Sequence, residues 1–307
     1  MSKRMLMPLH IPSFTGYPSL VSTDWLSRKL NNPNVKIIDA SWHMPAANRN
    51  AVKEYKHAHI PSAVFFDIDD ISNTDSPLPH MMPSADKMVH RMLGKGIDNS
   101  NHIVIYDNSD LGSAARAWYM FKTFGHEKVS ILNGGFQKWL SEDRPTDNTT
   151  RRVSRGSFNA IKDDNAVRSI DQVLKNLISK KEQVIDARSN GRFLGTSPEP
   201  RAELKSGHMP HSFNVPFNQL LNEDKTYKSK NEIKQIFIDS GVDLNQKIIT
   251  SCGSGITACV LLFSLHLIGH HENSLYDGSW AEWGGHPDTP VTKSLELINV
   301  EKYKKSS

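Results

Sequence analysis

The sequence predicts two tandem α/β domains, each a small, mostly parallel sheet flanked by helices, and three observations carry that prediction. At 307 residues the chain exceeds one ordinary core and suits two domains of about 150 residues each. Short β-branched runs alternate with helical patterns, as βαβ units do. The first half of the chain also recurs in the second, in the same order and at a nearly constant separation.

Taken along the chain, a strand-like run ending in Asp stands at 35–40 (VKIIDA) and again at 183–188 (QVIDAR). His59-Ile60-Pro61 before the apolar run AVFF matches His208-Met209-Pro210 before SFNVPF. The buried-type strand 102–107 (HIVIYD) matches 247–252 (KIITSC), and each runs through a small-residue turn into an apolar helix, 114–124 and 256–268. Asn133-Gly134-Gly135-Phe136 with Trp139 matches Asp277-Gly278-Ser279-Trp280 with Trp283. Between the copies, residues 146–165 are polar and without a sustained period, so they read as a linker joining a domain at 1–145 to one at 166–307. The first 23 residues read as an arm packed on the first domain. Lys3, Arg4 and His10 leave an organelle-targeting reading open there, against which Pro8, Pro12 and Pro18 argue. The tail ending in KYKKSS is expected to fray.

Composition narrows the function. Apolar residues make up 37% and charged residues 23%, and no run approaches the roughly 18 apolar residues of a membrane span, so a soluble protein without a membrane partner is expected. The formal charge of +4 comes from charges spread through the chain, which suits small anions better than nucleic acid. Two cysteines, Cys252 and Cys259, exclude a disulfide scaffold and four-ligand zinc spacing and imply a reducing compartment, with cytosol and mitochondrion both fitting. No metal or organic cofactor is called for.

The turn Cys252-Gly253-Ser254-Gly255-Ile256-Thr257 lies where an α/β sheet binds ligands, beyond a strand's carboxyl end and before a helix. Two glycines let successive amides curl toward the cysteine sulfur, and the helix start adds positive potential, which favours a reactive thiolate at Cys252. Cys259, inside an apolar helix, reads as core. The first copy carries Asp107-Asn108-Ser109-Asp110 at the equivalent place: it has kept the fold and lost the nucleophile.

The duplicated chain with this loop in its second copy closely resembles the rhodanese-like sulfurtransferases, over nearly its whole length from HIPSAVFFD to DGSWAEW. Within that family a CGSG-V-T loop resembles the members that use 3-mercaptopyruvate, whereas thiosulfate-using members resemble C-R-K-G-V-T. Ile256 for Val is a minor departure. The resemblance implies a tandem rhodanese-like fold and a persulfide on Cys252. It also implies a keto-acid thiol as sulfur donor and a thiol acceptor such as thioredoxin. Arg192 in GRF-x-G-T and Arg201 in PEPR match the family's substrate-binding arginines, and planar carboxylate recognition is work for arginine. Gly253, Gly255, Ile256 and Thr257 complete the substrate loop. Ser254 is expected to work with a histidine and an aspartate from the first domain, matched to His80 and Asp67, if the three converge across the interface.

Other residues read as scaffold. Arg188 is expected to pair with Asp186 or Glu203, Arg116 to be an interface or ion-pair residue, and His59, His208, Trp139 and Trp283 to hold turns and core in both copies. Two rivals stand beside the sulfurtransferase, and thiosulfate as its main donor is a third possibility, since the two activities overlap within the family it resembles. A cysteine phosphatase wants an arginine six residues after its cysteine, where this chain has Ala258, and a persulfide carrier would keep the loop without turnover.

Overall fold

In a computed structural model, which describes residues 16–150 and 153–293, the chain forms two five-stranded parallel sheets with the same strand order. Most of the expected amino-terminal arm and the tail lie outside the described residues.

The first domain runs β1 (Leu20–Val21), α1 (Thr23–Ser27), β2 (Val35–Asp39), α2 (Ala51–His57), β3 (Val64–Phe65), α3 (Ile68–Ile71), α4 (Ala85–Gly94), β4 (His102–Tyr106), α5 (Ala114–Thr123), β5 (Val129–Leu132) and α6 (Gly135–Ser141). The second runs β6 (Val167–Arg168), α7 (Ile170–Ser179), β7 (Glu182–Asp186), α8 (Asn190–Leu194), β8 (Phe213–Asn214), α9 (Lys230–Asp239), β9 (Lys247–Ser251), α10 (Ala258–Leu267), β10 (Asn273–Tyr276) and α11 (Ser279–Trp283). The orders β1-β5-β4-β2-β3 and β6-β10-β9-β7-β8 superpose element on element, as the internal repeat predicts. Within the expected arm, Leu20–Val21 packs on the first domain as an edge strand on β5, a two-residue pairing too short for periodicity to announce.

Central strands are buried on both faces, and β4 is buried at every position, which is why they read as unbroken apolar runs. Helix ends follow their capping residues: Ser169 with Gln172 and Ser229 with Glu232 form reciprocal capping boxes at α7 and α9. Helix α10 is apolar all round because it is enclosed on all sides, packing against its counterpart α5 where Trp118 meets Phe263 edge to face at 4.9 Å. This α5–α10 seam joins the two halves through one continuous core. The segment after α6 is laid along the first domain: Phe158 is buried, and the amides of Gly156 and Ile161 donate to the carbonyls of Leu93 and Phe124.

Candidate active site

Strand β9 ends at Ser251 and α10 begins at Ala258, so residues 252–257 form the loop beyond the strand's carboxyl end. Cys252 is 2% exposed. Its amide donates to Ser279 Oγ (3.1 Å), its carbonyl accepts from Trp280 N (2.9 Å), and the Gly253 carbonyl accepts from Ala281 N (2.9 Å), so the start of α11 fixes the cysteine backbone. Gly255 takes φ +79°, and a Cβ there would stand 3.0 Å from the Asp277 carbonyl. That turn aims the Gly255 amide at Cys252 Sγ, 3.2 Å away. Among the described residues this is the one hydrogen bond that reaches the sulfur, fewer than the ring of amides expected. Cys259 is core: its thiol donates to the Gly255 carbonyl (3.3 Å), and burial pushes its pKa up to about 12, leaving it unreactive.

The loop after α3 crosses from the first domain onto this cysteine turn. His80 Nδ1 lies 3.1 Å from the Ser254 carbonyl oxygen and Nε2 lies 3.1 Å from Asp69 Oδ1. Both neighbours are acceptors, and each ring nitrogen faces one of them. Convergence of Ser254 and His80 across the interface is therefore present, with the contact made to the serine's carbonyl; Ser254 Oγ has no hydrogen-bond partner among the described residues.

Asp67 is corrected by this geometry. Its carboxylate caps α3, accepting from the amides of Asp69 and Asp70 at 3.1 and 3.2 Å, and the acid that meets His80 is Asp69. An Asp just before a helix whose first turn is acidic reads as an N-cap, which is the signal that separates the two acids.

Fully buried Arg116, from α5, clamps both loops: Nη1 donates to Gly255 O (3.2 Å) and Asp277 Oδ1 (2.7 Å), and Nη2 to His80 O. Asp277 also accepts the Met82 amide, so one buried carboxylate of the second domain holds two elements of the first.

On the other side of the loop, Arg192 lies over Gly253, and a Cβ added to Gly253 would stand 3.2 Å from its Nη2. Arg192 Nη2 pairs with Glu199 at 2.5 Å and keeps a quarter of its side chain exposed. Glu199 also accepts from Arg188 at 2.8 Å; Arg188 forks onto Asp186 and lies 4.0 Å above the Trp280 ring. Arg188 is thus scaffold as expected, with Glu199 rather than Glu203 as its second acid; the reading from sequence did not single out Glu199. Arg201 is half-buried, and no hydrogen bond or ion pair among the described residues ties its guanidinium to the cysteine loop. Ile256 is buried, and Thr257 opens α10.

The paired scaffold residues behave alike in both copies. His59 bonds the Tyr55 carbonyl and stacks on Tyr55, and His208 does the same with Phe193. Trp139 and Trp283 each donate their indole N–H to a proline carbonyl, of Pro145 and Pro290.

Comparison with known proteins agrees with this arrangement. The Rhodanese-like domain pattern matches residues 22–142 and 169–286. The chain is 43% identical over 286 residues to a thiosulfate sulfurtransferase of Rattus norvegicus, covering 90% of this chain and 96% of that one. It is 41% identical over 273 residues to a 3-mercaptopyruvate sulfurtransferase of Mus musculus, covering 87% and 92%. A relative from Arabidopsis thaliana, 40% identical over 89% of this chain and 77% of that one, is named as a mitochondrial thiosulfate/3-mercaptopyruvate sulfurtransferase. Among solved structures, the 3-mercaptopyruvate sulfotransferase SseA of Escherichia coli is similar at 40% identity with a TM-score of 0.79, over 85% of this chain and 98% of that one. With two matched domains, a cysteine loop in the second and relatives of this kind over most of its length, the chain belongs to the rhodanese-like sulfurtransferases.

Proposed function

We propose that this chain moves the sulfane sulfur of 3-mercaptopyruvate through a persulfide on Cys252 to a thiol acceptor and releases pyruvate. The observation that carries the reading is the loop's make-up: Gly253 and Ser254 stand where the thiosulfate-type loop has two cations, and Arg192 lies over Gly253. In the first half-reaction the Cys252 thiolate attacks the donor sulfur, the S–S bond forms and the C–S bond breaks. The bonding pair leaves as pyruvate enolate, and the donor's thiol proton makes up the methyl group. Arg192 and Arg201 hold the donor carboxylate, Ser254 Oγ bonds its carbonyl, and the His80–Asp69 pair stabilises the enolate and handles its proton. In the second half-reaction an acceptor takes the outer sulfur. A thioredoxin-like dithiol, a small thiol and cyanide all fit, and a dithiol would go on to release sulfide.

Pyruvate release from 3-mercaptopyruvate, followed beside thiosulfate and beside Cys252→Ser, tests this directly. Fast release that vanishes with Cys252→Ser and exceeds the thiosulfate rate supports the proposal. Release unaffected by that change overturns the nucleophile, and no turnover with any donor leaves a persulfide carrier. A second reading, thiosulfate as main donor with sulfite leaving, draws on the rat relative's name, and the ratio of kcat/KM values decides between them. The Arabidopsis relative's name supports a mitochondrial setting beside a cytosolic one.

A further inference from the structure

Asp69 is exposed, with 64% of its side chain open to solvent, and a lone exposed carboxylate holds a histidine weakly because water competes and the side chain swings. Its second oxygen is nevertheless engaged: the Trp42 indole Nε1–H donates to Asp69 Oδ2 at 2.9 Å while Oδ1 faces His80. The Trp42 ring also stands edge-on to the His80 ring, with centroids 4.6 Å apart. An indole N–H can only donate, so this contact fixes Asp69 Oδ2 as an acceptor and holds the carboxyl group in one orientation. Partial desolvation by the two rings packed against it acts to raise the Asp69 carboxyl, and hydrogen bonds from His80 and Trp42 outweigh it, holding the acid below its ordinary range.

What fixes Trp42 is the first repeat's own degenerate loop. Ser109 Oγ donates to the Trp42 carbonyl (2.6 Å), and the Trp42 amide donates to Ser113 Oγ (3.1 Å), which in turn donates to the Ala40 carbonyl (2.8 Å). These serines occupy the turn that corresponds to the cysteine loop of the second repeat. We propose that Trp42 is a positioning residue for sulfur transfer: anchored by the loop that has lost its cysteine, it orients Asp69, and through Asp69 the His80 ring that docks on Ser254. The first domain thereby contributes a three-part relay, Trp42–Asp69–His80, to a nucleophile it does not own. The inference rests on the proposed role of His80 in 3-mercaptopyruvate turnover.

The experiment measures steady-state pyruvate release for Trp42→Phe, Asp69→Asn, the double variant and His80→Ala, with the rate of Cys252 alkylation by iodoacetamide measured on each. Alkylation needs the thiolate but no delivered proton, so it reports loop integrity separately. Trp42→Phe keeps the ring against His80 and removes only the donor; kcat should fall roughly tenfold with KM and alkylation within about twofold of the parent. In the Asp69→Asn background the same change should cost less than about twofold, since the two act in series. A full tenfold loss in that background, a parallel fall in alkylation, or an unchanged kcat in Trp42→Phe while His80→Ala is crippled each overturns the inference and leaves the role of His80 standing. An unimpaired His80→Ala overturns both.

Discussion

The loop between α3 and α4 of the first domain and the loop before α9 of the second are the same element of the repeat, and each crosses the interface to cover the other domain's strand-end turn. His80 and Lys225 hold equivalent places, both at positive φ, 60° and 64°. Met82 N donates to Asp277, and Tyr227 N donates to Asn133 Oδ1 at 2.8 Å, again equivalent pairs. What the two arms deliver differs: His80 is set on the Ser254 carbonyl, while Lys225 pairs with exposed Asp110 at 3.1 Å. The supports differ as well. Arg116 of α5 reaches the cysteine turn, whereas at the matching site of α10 Val260 faces Gly112, where an added Cβ would stand 2.9 Å from Val260 Cγ2. The duplicated fold thus brings cysteine, histidine and buried arginine together at one of its two strand-end turns and not at the other.

The strongest way to break this comparison is to move the nucleophile. Cys252→Ser should abolish persulfide formation, and adding Asp107→Cys to that variant should restore none, as read by intact mass after 3-mercaptopyruvate; a persulfide on the new cysteine would show that the fold alone suffices. Exchanging arms comes next. His80→Ala should lower kcat by about a hundredfold, a modest general acid–base contribution, whereas Lys225→Ala should leave pyruvate release within about twofold. Beside these, Asp67→Ala should cost only about 1 kcal/mol of stability as a lost cap and spare turnover.

Arg116→Met leaves buried Asp277 without its cation and should destabilise the protein by roughly 3–5 kcal/mol, seen as a lower urea midpoint; a near-neutral result would mean the interface tolerates the unpaired acid. The strand ends differ between the copies as well. Asp186 has the Arg188 cation, but its counterpart Asp39 has only Ser41 and the Tyr106 hydroxyl, and burial, against those hydrogen bonds, raises its pKa from 3.8 to about 6. The folded state therefore binds a proton more tightly than the unfolded chain. That stabilisation is present below about pH 4 and lost as pH rises through 6, for a total of about 3 kcal/mol. Asp39→Asn should remove this part of the pH dependence, so parent and variant stability curves should converge at low pH and separate between pH 4 and 6.

Legibility followed distance along the chain. The parallel strands, the repeat and the cysteine turn were readable because buried parallel strands are apolar runs and because Cys252, its glycines and the following helix are adjacent in sequence. The arginine over the loop was readable only through motif context, and its partner Glu199 was not, since PEPR offers no periodicity that marks Glu199 as buried. Asp69 was missed for Asp67 because two acids two residues apart look alike until helix α3 forms and one of them becomes its cap.

The sequence by itself therefore determined that this is a duplicated α/β protein with a cysteine in a glycine-flanked turn at a strand end: hydrophobic period and glycine spacing are local properties that survive in any correct fold. Only the tertiary structure decided that the first domain's arm lies on the second domain's loop, that Asp69 rather than Asp67 meets His80, and that Arg116 and Asp277 lock the two halves. Those contacts join residues more than a hundred positions apart or depend on which way a capped turn points a side chain, and their geometry is set by packing α5 against α10, which no local pattern encodes.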